Sequence, residues 1–255
     1  MIHHLKLINL DRTPERLAAF RARHPDLPVE RIAAADGARL DRDACVGDGL
    51  ITADNLYRPG ALGCALSHIH LWRRCVAEDA AFHVVEDDVT LRHDFMPAAS
   101  AILASLGAWE IVLWGHNLDW PVQVEPAPGL GVVVLQYDHQ TLDTEAFRAP
   151  GAIPAAMRLM SAAGTSCYSI SPAGAAHLLR ACLPIGAAPA RYLAKQATTL
   201  LNSGIDVEMS RHYADMAAFV AFPALAVSEN DQTGSTIRGH LSAIHDPRAA
   251  NRAVR

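Results

Sequence analysis

Residues 82–89 read Phe-His-Val-Val-Glu-Asp-Asp-Val, a short apolar run that breaks into three consecutive acids. Such a run suits a strand buried on both faces of a sheet that helices cover from either side. Acids at its end then lie at the carboxyl edge, where open α/β sheets bind ligands. Three adjacent carboxylates repel one another without a cation or water between them. The bland reading is a solvated turn. The sharper one is an oxygen-rich site for magnesium or manganese, beside which a diphosphate can sit.

The surrounding pattern fits an alternating α/β chain. Residues 5–10 read as a buried first strand, and Thr13-Pro14-Glu15 supplies a cap, a first-turn proline and an acid for a helix through Arg23. A second strand is expected over 29–34, ending at the turn pair Asp36-Gly37. Leu62, Ala65, Leu66, Ile69, Trp72 and Val76 recur at spacings of three and four, which predicts an amphipathic helix over 62–78 with Ser67, His70 and Arg74 on another face. Further elements are expected as a helix over 95–106, a strand over 109–115, a strand over 168–170, a helix opening at Ser171-Pro172 and running to Cys182, and a helix over 190–203. Between 117 and 154, prolines and glycines punctuate short apolar runs, the pattern of a loop-and-hairpin region that builds specificity on a rigid scaffold.

Composition narrows the function classes. With 255 residues and 51% hydrophobic content the chain can bury a substantial core, and one domain over 1–255 is expected. Within it, 1–116 carries the acidic run, 117–163 reads as a variable loop region, and 164–255 ends in a polar tail. Against 27 acidic residues stand 22 basic ones, a net charge of −5, and no Lys/Arg run appears, so nucleic acid is not an expected partner. Five cysteines without a C-x-x-C pair point to reduced thiols. No signal-peptide core or membrane-length apolar run is visible, so a cytoplasmic protein is expected, with peripheral association at the inner membrane left open.

Four segments carry a resemblance. Ile8-Asn9-Leu10-Asp11-Arg12-Thr13-Pro14-Glu15-Arg16, then Gly60-Ala61-Leu62-Gly63-Cys64-Ala65-Leu66-Ser67-His68, then Glu86-Asp87-Asp88, then Gly164-Thr165-Ser166-Cys167-Tyr168-Ser169-Ile170-Ser171 occur in the order found in glycosyltransferase family 25. The chain resembles that family of lipopolysaccharide and collagen galactosyltransferases. The likeness implies a GT-A-like nucleotide-sugar-binding domain, α/β, with a mostly parallel central sheet flanked by helices. It implies transfer of a hexose, galactose foremost, from a UDP-sugar to a hydroxyl acceptor in a surface glycan, with inversion and with Mn2+ or Mg2+ as cofactor. The acceptor itself, whether glycan, peptide or small molecule, is not identified.

The resemblance also distributes roles, implying that 1–116 is a donor- and metal-binding half and 164–255 an acceptor-side half. It implies that Asn9, Arg16, Ser67, His68, Glu86 and Asp87 contact the donor and that Asp88 binds the metal. His212, Asp215, His240 and His245 are candidates for a second metal ligand. One departure stands out: the family's P-x-D-x-x-L segment corresponds here to Ala188-Pro189-Ala190-Arg191-Tyr192-Leu193, where Ala190 or Arg191 replaces the acid. Asp215 is the expected substitute base. If no base replaces it, a nucleotide-sugar-binding protein without transfer activity is the alternative, and the carboxylate cluster alone would also permit a metal-dependent phosphoesterase.

Overall fold

The computed structural model describes residues 2–137, 142–192 and 198–228. The chain opens with β1 (Leu5–Asn9), α1 (Pro14–Arg23), β2 (Val29–Ala33), α2 (Arg42–Gly47), α3 (Pro59–Ala77), β3 (Phe82–Glu86) and β4 (Val89–Leu91). It continues through α4 (Phe95–Ser105), β5 (Ile111–Gly115), the hairpin strands β6 (Val122–Glu125) and β7 (Val133–Leu135), α5 (Thr144–Arg148) and β8 (Ala155–Ser161). The last elements are β9 (Cys167–Ile170), α6 (Pro172–Cys182), β10 (Ala190–Tyr192), β11 (Thr198–Leu200), α7 (Ile205–Ser210), β12 (Ala218–Phe222) and β13 (Ala226–Ser228).

The main sheet runs β2-β1-β3-β9-β5-β12-β8-β6-β7. β1 pairs in parallel with β2 and β3, and β12 in parallel with β5, while β9 runs antiparallel between β3 and β5. β8, β6 and β7 then extend the sheet antiparallel. The architecture is a mixed α/β sheet covered by helices, compatible with a GT-A-like domain. The strands β1, β3, β5 and β12 all point their carboxyl ends the same way. Among the described residues no helix is long and apolar enough to cross a membrane.

Strand alternation divides the core into two layers. Val84, Leu113, Tyr168 and Val220 pack with Leu62, Ile69 and Trp72 of α3, Leu178 of α6 and Met209 of α7. Val85, Val112, Trp114, Cys167 and Ala221 face the other way, onto Phe20 of α1 and Phe95, Ala99 and Ile102 of α4. Both faces of the central strands are therefore dry, as the apolar Phe82, Val84 and Val85 require, and His83 is buried with them.

Several expectations are corrected in detail. α3 starts at Pro59, earlier than the apolar spacing shows, and its buried face is wide enough to take in Ser67 and His68 while Val76 is exposed. Thr13 stands at the N-cap of α1, but its hydroxyl donates to the Leu10 carbonyl at 3.2 Å and caps nothing. The helix expected over 190–203 is instead the antiparallel pair β10–β11, because Ala190 and Leu200 gain more by burying together against Trp120 and Val207 than alanine content gains from helix propensity. The region 117–163 contains the expected hairpin, and it also supplies β8 to the main sheet. That strand was hidden by its Ala-Ala-Met-Arg-Leu-Met-Ser sequence, which lacks β-branched residues.

Candidate functional site

The three acids lie where β3 ends, on the tight turn into β4, and β4 is held in place by antiparallel pairing with β13. Asn9, ending the neighbouring β1, is only 1% exposed. Its Nδ2 donates to Asp87 Oδ2 at 2.7 Å and to the Thr13 carbonyl at 3.0 Å, while Arg31 Nε donates to its Oδ1 at 2.9 Å. The arginine can only donate, so it fixes which way the amide faces. From α1, Arg16 Nη2 reaches Asp87 Oδ1 at 2.6 Å and Asp88 Oδ2 at 3.2 Å. Asn9 and Arg16, expected to contact a donor, are placed by this structure against the acids themselves.

Each acid has its own environment. Burial would push Glu86 up, but His68, the Thr165 hydroxyl donating at 2.8 Å and the charge of Arg16 hold its carboxyl below the usual range. Asp87 is raised by burial, with the Asn9 amide and Arg16 pulling back. Asp88 is raised to about 6 by the protein crowding it and then by the charge of Glu86, against the pull of Arg16. With 45% of its side chain open to solvent, Asp88 is free to take a ligand.

A cavity of about 260 Å³ opens in front of these acids. Its walls are the ends of β1 and β2, the loop 34–38, and the first turns of α3 with Cys64, Ser67 and His68. Arg12 Nε and Asp36 Oδ2, 3.3 Å apart, tie α1's approach to that loop. α3 comes this close because Gly63 has no side chain: a Cβ there would stand 2.5 Å from the Ala35 carbonyl oxygen. Ser67 straps the same junction, donating to the Gly63 carbonyl at 2.7 Å and accepting from Ala35 N at 2.9 Å, so its hydroxyl acts on the wall of the cavity.

One acid joins the site that the motifs did not reveal. Asp206, in the first turn of α7, accepts the Gly164 N–H at 3.0 Å. Next along the chain, Thr165 binds Glu86, and the Ser166 carbonyl accepts the Glu86 N–H at 3.0 Å. Residues 164–166 thereby stitch the two acids together. Burial raises Asp206, the Gly164 and Val207 amides oppose it, and Glu86 adds repulsion. Burial and then the charges of Glu86, Asp206 and Asp88 push the Cys64 thiol well up, which keeps it protonated among three carboxylates. The signal was present in Ile205-Asp206-Val207-Glu208-Met209, which repeats the D-x-x-apolar spacing sought at Pro189.

Other candidates fall elsewhere. Asp215 sits in a short turn before β12, whose first residue pairs with Ile111 at the start of β5, so it occupies the amino edge of the sheet, opposite the acids. It is exposed there and is not brought to the site. His212 Nε2 lies 3.4 Å from Glu208, in a group with Cys182 where Asn202 and Arg211 also donate to Glu208. His240 and His245 lie outside the described residues. The position expected to lack an acid, Ala190 or Arg191, is part of β10.

Comparison with known families matches residues 2–192 to the family described as glycosyltransferase family 25 (LPS biosynthesis protein). The chain is 32% identical over 131 residues to a "Glycosyltransferase 25 family member" of Anopheles gambiae, covering 46% of this chain and 22% of the relative. A protein of the same description from Aedes aegypti is 28% identical over 130 residues, 46% of this chain and 21% of the relative. The "Inactive glycosyltransferase 25 family member 3" of Mus musculus is 28% identical over 154 residues, 53% of this chain and 26% of the relative. The matches thus span about a quarter or less of each relative's length. Since the family match takes in the Asn9–Arg16 segment, the Gly63–His68 segment, the acidic turn and residues 164–171, the chain belongs to glycosyltransferase family 25.

Proposed function

We propose that this chain transfers a hexose, galactose foremost, from a UDP-sugar to a hydroxyl of a surface-glycan acceptor, with inversion and with manganese or magnesium. The observation that supports it is the convergence of Asn9, Arg16, Asp87 and Asp88 at the carboxyl ends of β1 and β3, in front of a cavity of about 260 Å³. The donor set fits a hard divalent cation: carboxylate oxygens predominate, Asp88 is partly open to solvent, and the charge of Glu86 adds to burial in raising it. Asp88 would hold the ion, which would neutralise charge on the departing diphosphate.

The chain's own residues do the rest. Arg31 orients Asn9, Asn9 and Arg16 hold Asp87, and Glu86, kept ionised, is an acceptor for a hydroxyl of the ribose or sugar. In the transfer the acceptor oxygen bonds to the anomeric carbon, the bond from that carbon to the diphosphate oxygen breaks, and the hydroxyl proton passes to a base. Asp206 takes that role in this reading, since its raised carboxyl is a better base than an ordinary aspartate.

Thermal unfolding with UDP-sugars, with and without manganese, tests the reading, because a ligand bound only by the folded state raises its stability. Wild-type protein is expected to show a manganese-dependent shift that Asp88→Asn loses while keeping its ligand-free Tm. A manganese-dependent shift of equal size in Asp88→Asn would remove Asp88 from the metal site. Donor binding without transfer is the second reading, favoured by the likeness to the Mus musculus relative described as inactive. Transfer and donor-hydrolysis assays separate the two.

A further inference from the structure

Tyr168 and Ser169 are neighbours on β9, so their side chains leave the sheet on opposite faces. Each hydroxyl stands between a tryptophan and a histidine. On one face Trp114 Nε1 donates to Ser169 Oγ at 2.7 Å, and that oxygen meets His83 Nδ1 at 2.6 Å. On the other, Trp72 Nε1 donates to the Tyr168 oxygen at 3.1 Å, and that oxygen meets His68 Nδ1 at 2.8 Å.

The proton can be placed by counting donors. An indole N–H only donates, so the Tyr168 hydroxyl needs an acceptor of its own. Among the described residues the acceptor within reach is His68 Nδ1. Tyr168 and His68 are both fully buried, so bulk water offers no substitute. A neutral imidazole that accepts at Nδ1 carries its proton on Nε2. That nitrogen is buried and meets Glu86 Oε1 only at 3.5 Å, too long for a good hydrogen bond, and both side chains line the cavity. A buried donor with so long a contact gains from a closer oxygen.

We infer that Tyr168 is a positioning residue: taking a hydrogen bond from Trp72 and giving one to His68, it keeps the His68 proton on Nε2, where it faces Glu86 and can donate a hydrogen bond to an oxygen of the donor ligand. The identity of that ligand rests on the nucleotide-sugar reading above; the proton assignment does not. The same geometry decides against a competing use of these residues. The ligand atoms of Cys64, His68 and Glu86 lie within 4.8 Å of one another, and such a set suits zinc. Ligation through Nε2 would move the proton to Nδ1 and strand the Tyr168 hydroxyl in a dry site. His68 is therefore a donor to oxygen here, and Ser169 with His83, remote from the cavity, is a built-in control.

Long-range 1H–15N NMR on the full chain reads the protonated nitrogen of each histidine, and calorimetry reads UDP-sugar affinity of the folded protein. Wild type is expected to carry the proton on Nε2 at both His68 and His83. Tyr168→Phe should lose that preference at His68 and weaken UDP-sugar binding roughly tenfold or more, the scale of one lost polar contact. Ser169→Ala should alter His83 alone and leave affinity within about twofold. A purely structural Tyr168 would lower Tm yet leave the tautomer and the affinity of folded protein unmoved, and that result overturns the inference. So would an Nδ1 proton in wild-type His68, or one equivalent of zinc held by wild type and released by Cys64→Ser. If the tautomer result holds while no UDP-sugar binds wild type, the substrate reading falls and the proton assignment stands.

Discussion

At the scale of single residues, the contrast between Asp206 and Asp215 separates what a chain position suggests from what space provides. Asp215 follows the expected vacancy in sequence, yet it faces solvent at the amino edge of the sheet. Asp206 reaches the acids through residues 164–166. Asp206→Asn is expected to cut turnover by roughly 10²- to 10⁴-fold, the scale of general-base assistance, with donor affinity changed by less than about threefold. Asp215→Asn should turn over as wild type. Steady-state kinetics with separate donor-binding measurements check both, and equal losses from the two variants would refute the assignment. Asn9, Arg16, His68 and the three acids were legible because each lies inside a short local pattern. Thr165 lies inside such a pattern and Asp206 in a D-x-x-apolar stretch, but neither pattern tells what the side chain meets, since Thr165 binds Glu86 and Asp206 binds the Gly164 amide.

Among elements, the ones read correctly are those whose apolar period is long or whose caps are strong. α6 begins where Ser171 and Pro172 place it, with the Ser171 hydroxyl accepting the Gly174 N–H at 3.1 Å. β8, β10 and β11 escaped because short, alanine-rich strands owe their state to partners supplied by the fold. The cavity wall depends on an element-level fit between α3 and the loop 34–38. Gly63→Ala is expected to destabilise the protein by about 1–3 kcal/mol, since the new methyl group meets backbone that cannot step aside as a side chain would. Urea titration measures this, and the variant should also bind UDP-sugar more weakly as the wall shifts. Unchanged stability would mean that the loop yields freely.

For the whole molecule, two buried histidines set an acid limit. His24 Nε2 accepts the Leu91 N–H at 3.3 Å, and His83 lies among Phe95, Trp114 and Ser169. Burial lowers each from 6.5 to about 4. Between these values the unfolded chain binds more protons than the folded one, so stability rises with pH across the window. Their contribution is complete above about pH 6.5 and is lost as pH falls toward 4, by about 2 kcal/mol per histidine at pH 5. Denaturant unfolding at pH 7.5 and pH 5.0 should show that loss, and His83→Gln should show a shallower dependence. A flat profile in wild type would mean that both rings protonate without cost in the folded state.

The placement of β9 bears on how the protein comes into being. β3 and β5 have neighbouring places in the first half of the chain, but the strand that joins them arrives only with Cys167–Ile170. Until then each presents an unpaired edge, the kind of surface on which chains aggregate. During synthesis the amino-terminal half therefore cannot finish its sheet alone and must wait for residues emitted some fifty positions after β5, a long-range closure of the type that slows folding. A fragment ending near residue 116 would keep the acidic turn, Asn9 and Arg16 in its sequence, yet lack both the strand that closes the sheet and the Thr165 and Asp206 contacts. In this protein the donor-facing motifs precede, in time, the structure that makes them a site.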